Sequence, residues 1–217
     1  MMKLSHKIPV TPWRATTTWG LKPRMVLPLV LGLTMFGCGE GLLVVSHWGA
    51  TPWTVFAQGI ARHAHISIGW STAAISCVVL LAWLPLRERP GFGTIANLII
   101  IAYVLDVTSS VVPVPHDDWV KASFMVGAVV LIGIGSALYL TCGLGPGPRD
   151  GLMTGLHRRL GVSVVYVRLT LEVIVLVIGW LLGGTVGIGT AFFAGTIGFC
   201  IGASLHAVDW CVRKWPV

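Results

Sequence analysis

Gly143-Leu144-Gly145-Pro146-Gly147-Pro148-Arg149-Asp150-Gly151-Leu152, running on to His157-Arg158-Arg159-Leu160-Gly161, is the stretch on which the reading of this chain turns. It separates two long apolar segments without being apolar itself, and a blurred copy precedes it. That copy is Gly49-Ala50-Thr51-Pro52-Trp53-Thr54-Val55-Phe56, continuing to Gly59, Arg62 and Ser67. Sliding the sequence against itself by 96 residues aligns 25–112 with 121–208 without a gap. Apolar chains match by chance, so about 17 identities in 88 positions decide little alone. The identity of the matching residues decides more. Gly37/Gly133, Gly39/Gly135, Gly49/Gly145, Pro52/Pro148, Gly59/Gly155, Arg62/Arg158, Ser67/Ser163 and Gly91/Gly187 with Gly93-Thr94/Gly189-Thr190 all coincide at one shift. These are residue types that make turns and caps.

Composition sets the class. The 217 residues are 55% hydrophobic and 11% charged, with a mean hydropathy of +0.84; soluble domains carry roughly 25% charged residues. Lipid accepts only helices and closed barrels, because every backbone group must be paired internally. A barrel would show alternating segments of about ten residues, whereas this chain has long unbroken apolar runs. The fold class is therefore an all-α integral membrane protein. Spans are predicted at 25–46, 66–86, 92–112, 122–141, 162–182 and 188–208, each about long enough for a ~30 Å hydrocarbon core. The organisation is a basic cytoplasmic tail at 1–24, expected to be mobile, and membrane repeats at 25–112 and 121–208. An extracytoplasmic linker occupies 113–120, and a cytoplasmic C-terminal tail 209–217.

The net charge of +7 sits beside the apolar runs, which reads as a topology signal and not as a nucleic-acid surface. Placing the N-terminus in the cytoplasm leaves only Arg62 and Lys121 outside and Arg168 within a span, so both termini are expected to be cytoplasmic. Each repeat holds three spans, an odd number, so the second must enter the bilayer from the opposite face. That is an inverted-topology repeat, a plan common among secondary transporters that alternate access around a midplane site. Duplication merely to build a stable bundle is the alternative.

In each copy the helix after the first span starts with proline, Pro52 after Thr51 and Pro148 after Gly147. Proline suits the first helical position, whose N–H would be unpaired anyway. Such starts expose free N–H groups and a positive dipole end, a natural anion site. The competing reading is an amphipathic helix lying in the interface, with Arg158 and Arg159 at headgroup depth. Ionisable residues within spans are functional candidates because they are costly there: Glu40, Asp106, Arg168 and Glu172. Arg168 and Glu172, four apart, share a helix face and could equally be a neutral structural pair. Glu40 and Asp106 have no basic residue nearby in sequence and are candidates, with Glu172, for handling a proton. Asp106, beside Thr108, Ser109 and Ser110, could instead be simply solvated.

The five cysteines lack metal-like spacing and read as packing residues. His47, His63 and His65 have no completing ligand, so no metal and no cofactor is expected. Gly37-x-x-x-Gly41 and Gly198-x-x-x-Gly202 permit close helix packing and leave room for a homo-oligomer. Met35-Phe36-Gly37-Cys38 loosely imitates a lipoprotein cleavage site, but cutting there would remove half a span that the repeat requires. Without a nucleophile elbow, phosphate loop, HExxH or redox CxxC, the chain is not expected to be an enzyme.

The run Gly145 to Leu152, Arg158-Arg159 and Trp180-Leu181-Leu182-Gly183-Gly184-Thr185-Val186-Gly187-Ile188-Gly189-Thr190 resembles the YczE/YitT family of bacterial membrane proteins. Pro52-Trp53-Thr54-Val55, Pro85-Leu86-Arg87 and Arg89-Pro90-Gly91-Phe92-Gly93-Thr94-Ile95-Ala96-Asn97 agree in the first repeat. Gly147 departs from the pattern by lengthening the usual glycine–proline turn. The resemblance implies a multi-span protein of the bacterial inner membrane and no particular substrate. The expectation is a secondary transporter or exporter of a small anionic or zwitterionic solute, with the lipid bilayer and that solute as its partners. Pro52, Trp53, Gly145, Pro148, Arg149, Asp150, Arg168 and Glu172 would bind the solute. A non-transporting accessory protein that binds a partner is the alternative.

Overall fold

The computed structural model describes residues 8–214, and all regular structure among them is helical. In chain order the helices are α1 (Pro23–Ser46), α2 (Pro52–Ala64), α3 (Ile68–Leu86), α4 (Phe92–Val111), α5 (Asp118–Thr141), α6 (Pro148–Leu160), α7 (Val164–Leu181) and α8 (Ile188–Lys214). Six of them, all except α2 and α6, are long and apolar enough to cross a membrane. The ends differ from the sequence expectation where charge stabilises extra turns. α5 starts early, at Asp118, whose carboxylate favours the positive end of the helix. α8 runs on into the expected C-terminal tail, where Arg213 pairs with Asp209 at 2.8 Å. Lys3 and Lys7 of the N-terminal tail and residues 215–217 lie outside the described residues.

α2 and α6 each have 13 residues, about 20 Å of helix, too short for a ~30 Å core. Thr51 caps α2 by accepting from the Thr54 N–H at 3.3 Å, and Pro52 opens it. Pro148 opens α6 behind Gly147, which has no side chain to cap with. Left-handed residues close both, His65 (φ 54°) and Gly161 (φ 68°). Along α2 only Arg62, His63 and Ala64, at its end, are exposed; α6 is exposed at Asp150 and at Arg158–Leu160. A helix lying flat in an interface would be exposed along one whole face; α2 is covered from Pro52 to Ala61, and α6, apart from Asp150, from Pro148 to His157.

The packing crosses between halves. α1 lies against α5, α4 flanks α1 and α8 flanks α5, while α2 packs on α7 and α6 on α3. The α1–α5 crossing is backbone to backbone: a Cβ on Gly39 would sit 2.7 Å from the Ala128 carbonyl, and one on Gly135 would strike the Gly32 carbonyl. Gly37 and Gly41 face Val104 and Thr108 of α4, so this glycine pair serves a seam within the chain. The loops before the short helices dock reciprocally. Gly93 N–H donates to Leu144 O at 2.8 Å, and Gly189 N–H to Trp48 O at 2.7 Å. Gly145 (φ 109°) and Gly49 (φ 114°) turn the two loops. A Cβ there would meet Thr94 Oγ1 at 2.8 Å and Thr190 Oγ1 at 2.5 Å respectively.

The N-terminal segment was expected to be mobile, but its described part is docked. Thr11 Oγ1 donates to Thr141 O (3.1 Å), Trp13 Nε1 to Thr141 Oγ1 (3.2 Å) and Ala15 N–H to Cys142 O (2.8 Å). Thr18 O accepts from the Phe92 N–H at 2.9 Å. The segment thereby satisfies carbonyls left over at the end of α5 and an orphan N–H at the start of α4, and Trp13 adds its ring to the adjoining core.

Candidate functional site

A cavity of about 270 Å³ lies where the two halves meet. Its wall includes Glu40 of α1, Pro52 and Trp53 of α2, Pro148, Arg149 and Asp150 of α6, and Arg168 and Glu172 of α7. The structure therefore brings together every sequence candidate except Gly145 and Asp106. Gly145 instead shapes the loop docked on α4. Asp106 accepts from Ser67 Oγ and from the Gly69 N–H at 2.6 Å, where its charge caps the start of α3.

Glu40 is 1% exposed, and a charge so buried needs several partners. Thr51 Oγ1 lies 3.2 and 3.0 Å from its two oxygens, Thr54 Oγ1 donates to Oε2, and Arg149 Nη1 lies 3.6 Å from Oε1. The carboxylate sits at the start of α2, where the helix dipole also favours it. This alters the sequence expectation for Pro52. The α2 start is a site for negative charge, but the chain's own Glu40 fills it.

The α6 start is built differently. Arg149 places its guanidinium over the Trp53 ring, 5.3 Å from the centroid, a cation–π contact. Asp150 Oδ2 accepts from Tyr139 Oη at 2.8 Å. Arg168 Nε donates to Glu172 Oε1 at 2.8 Å, the pair anticipated from its spacing. Both residues of the pair open onto the cavity.

Positions 96 apart recur on the wall: Glu40 and Ser136, Pro52 and Pro148, Trp53 and Arg149, Thr72 and Arg168, Ser76 and Glu172. In four of these five pairs a charged residue in one half corresponds to a neutral one in the other. Thr54, Tyr139, Thr72 and Ser76 were missed by sequence reasoning. The repeat offered a signal for the last two, since they stand opposite the conspicuous Arg168 and Glu172. Two wall residues are nine-tenths buried with polar atoms that have no hydrogen-bond partner among the described residues, Trp53 Nε1 and Thr72 Oγ1.

Comparison with known proteins fits this architecture. The sequence profile of the family described as "Family of unknown function (DUF6198)" matches residues 23–206. The chain belongs to this family. An "Uncharacterized protein" of Haemophilus influenzae is 44% identical over 208 residues, covering 96% of this chain and 95% of that one. The "Uncharacterized membrane protein YczE" of Bacillus subtilis is 30% identical over 189 residues, covering 84% of this chain and 88% of the relative. The DUF6198 chain is thus a YczE-like, multi-pass membrane protein. No solved structure gives a significant match.

Proposed function

We propose that this protein is a secondary transporter of the bacterial inner membrane, with both termini cytoplasmic, that binds a small anionic or zwitterionic solute in the cavity between two inverted repeats. The observation that carries the reading is the contact of Arg149 with Trp53 on the cavity wall. These residues occupy equivalent positions 96 apart, and equivalent groups of two related halves meet only near the axis relating them. A midplane site on such an axis is what alternating access requires. The reciprocal docking of the two loops, and the packing of α2 on α7 and α6 on α3, support the same relation.

In this reading α2 and α6 are half-helices starting inside the protein. Arg149 and Arg168 attract the anionic group of the solute, with Trp53 and Thr72 as further donors. Glu40 and Glu172 are the carboxylates that handle a coupled proton. Asp106, committed to the start of α3, is left out of that role. No covalent step is involved.

The test is flux in vesicles reconstituted with purified protein. Arg168→Ala and Glu172→Gln should fold and insert normally yet lose about tenfold or more of their flux, as expected for removing a charge-assisted contact. Normal transport by both variants would remove the cavity from the pathway.

A further inference from the structure

Resting on the cavity being the solute site, we infer that its solute is a zwitterion pairing a carboxylate with an ammonium group, and not a simple anion. Two observations point in different directions, and a zwitterion satisfies both. The first is a surplus of donors. Among the described residues the Arg149 guanidinium has one ion contact, at 3.6 Å, and the face of Trp53, so hydrogen bonds leave its N–H groups unmatched. Arg168, which lines the cavity, engages Glu172 through Nε, and its outer nitrogens have no hydrogen-bond partner among the described residues. Trp53 Nε1, a donor only, is buried without a partner, as is Thr72 Oγ1. Trp53 Nε1 and Thr72 Oγ1 are buried, and the two guanidiniums are partly exposed with N–H groups unmatched; such a set calls for an acceptor-rich group, and planar guanidiniums suit a carboxylate best.

The second observation is the charge of the wall. The ionisable groups facing the cavity are Glu40 from α1, Tyr139 from α5, Arg149 and Asp150 from α6, and Arg168 and Glu172 from α7. With no coupled proton bound, three carboxylates against two guanidiniums leave one negative charge in excess. An added anion would double that excess, at a cost that rises as the dielectric falls. A simple amine would balance the charge but leave the donors unmatched. A molecule with both groups adds no net charge, matches its carboxylate to Arg149, Trp53 and Thr72, and sets its ammonium toward Asp150. A volume of about 270 Å³ is just below the usual range for drug-sized ligands, so the solute is of amino-acid size.

Matched probes separate these classes. The full chain in detergent is titrated with L-alanine, L-lactate and ethylamine, and with L-leucine, 2-hydroxyisocaproate and 3-methylbutylamine, following the thermal midpoint and tryptophan fluorescence. At one size at least, the zwitterion should bind about tenfold or more tighter than its anion and its amine, the loss expected for one unmatched buried polar contact. Thr72→Val, which keeps the shape, should weaken the zwitterion, and Asp150→Asn should remove its preference over the hydroxy acid. Equal or tighter binding of the anion or the amine overturns the zwitterion. If Thr72→Val still weakens that probe, the cavity stands as a solute site. No response to any of the six also overturns the zwitterion, and the cavity is then judged separately by the Arg168→Ala flux.

Discussion

Thr51-Pro52-Trp53-Thr54 and Gly147-Pro148-Arg149-Asp150 open two helices of equal length at positions 96 apart, and they manage the charge of a buried helix start in opposite ways. At α2 the electrostatics are closed within the chain. Glu40 lies at the positive end of the helix, held by Thr51 and Thr54. At α6 the place equivalent to Glu40 is taken by Ser136, the cap position is a bare glycine, and the charges of Arg149 and Asp150 are displayed on the helix itself. The α2 start holds its carboxylate within the chain, and the α6 start carries its charges on the helix itself. The difference shows that two helix starts of matching length and opening residue can carry different electrostatics.

The sharpest way to break this comparison is to strip the closed end. Glu40→Ala leaves Arg149 and two threonine hydroxyls without their buried partner and should cost about 3 kcal/mol or more. Ser136→Ala should cost under about 1 kcal/mol. Unfolding in mixed micelles reads both, and equal losses would mean that the two ends are not electrostatically distinct.

A second measurement tests what the copies share. Gly49→Ala and Gly145→Ala each put a Cβ at a positive φ against a threonine hydroxyl, at about 2 kcal/mol apiece. A large loss in one and none in the other would deny the loops their equivalence.

The smallest effect concerns the residues just ahead of the loops. Ser46 and Cys142 are equivalent and fully buried, donating to Leu43 O at 2.7 Å and Leu138 O at 3.3 Å. Burial pushes the Cys142 thiol up to about 12. The thiolate is the reactive form, so raising the pKa lowers reactivity at every pH below it. At pH 8 in the folded protein, maleimide should modify exposed Cys211 and leave Cys142 slower by about a thousandfold. Comparable labelling, read by mass spectrometry, would show that the loop start opens.

The elements were legible in the sequence because their signals are local. Apolar runs gave the long helices, and Pro52, Pro148, Gly49 and Gly145 marked the breaks. The repeat identified Trp53 and Arg149 as counterparts, and the structure adds that they touch. Other contacts left no local trace. Nothing near Glu40 in sequence announces Arg149, and Thr51 is readable as a helix cap without showing that it also serves a carboxylate. Tyr139 lay hidden among the apolar residues of α5, because an aromatic ring in a span reads as packing until its hydroxyl is seen on Asp150. The ionisable residues Glu40, Arg149, Asp150, Arg168 and Glu172 were conspicuous in the sequence and share one cavity, whereas Thr72 and Ser76 were signalled only through the repeat.

The reciprocal docking of the loops has a consequence for the order of synthesis. The carbonyl of Trp48 is matched by Gly189, and α2 finds its main support on α7, so neither can be satisfied when the first three spans have left the ribosome. The N-terminal segment likewise waits for Thr141 and Cys142. Such non-local pairings form late and leave polar backbone transiently exposed. The first half therefore cannot complete its own contacts until α7 and the start of α8 have been made.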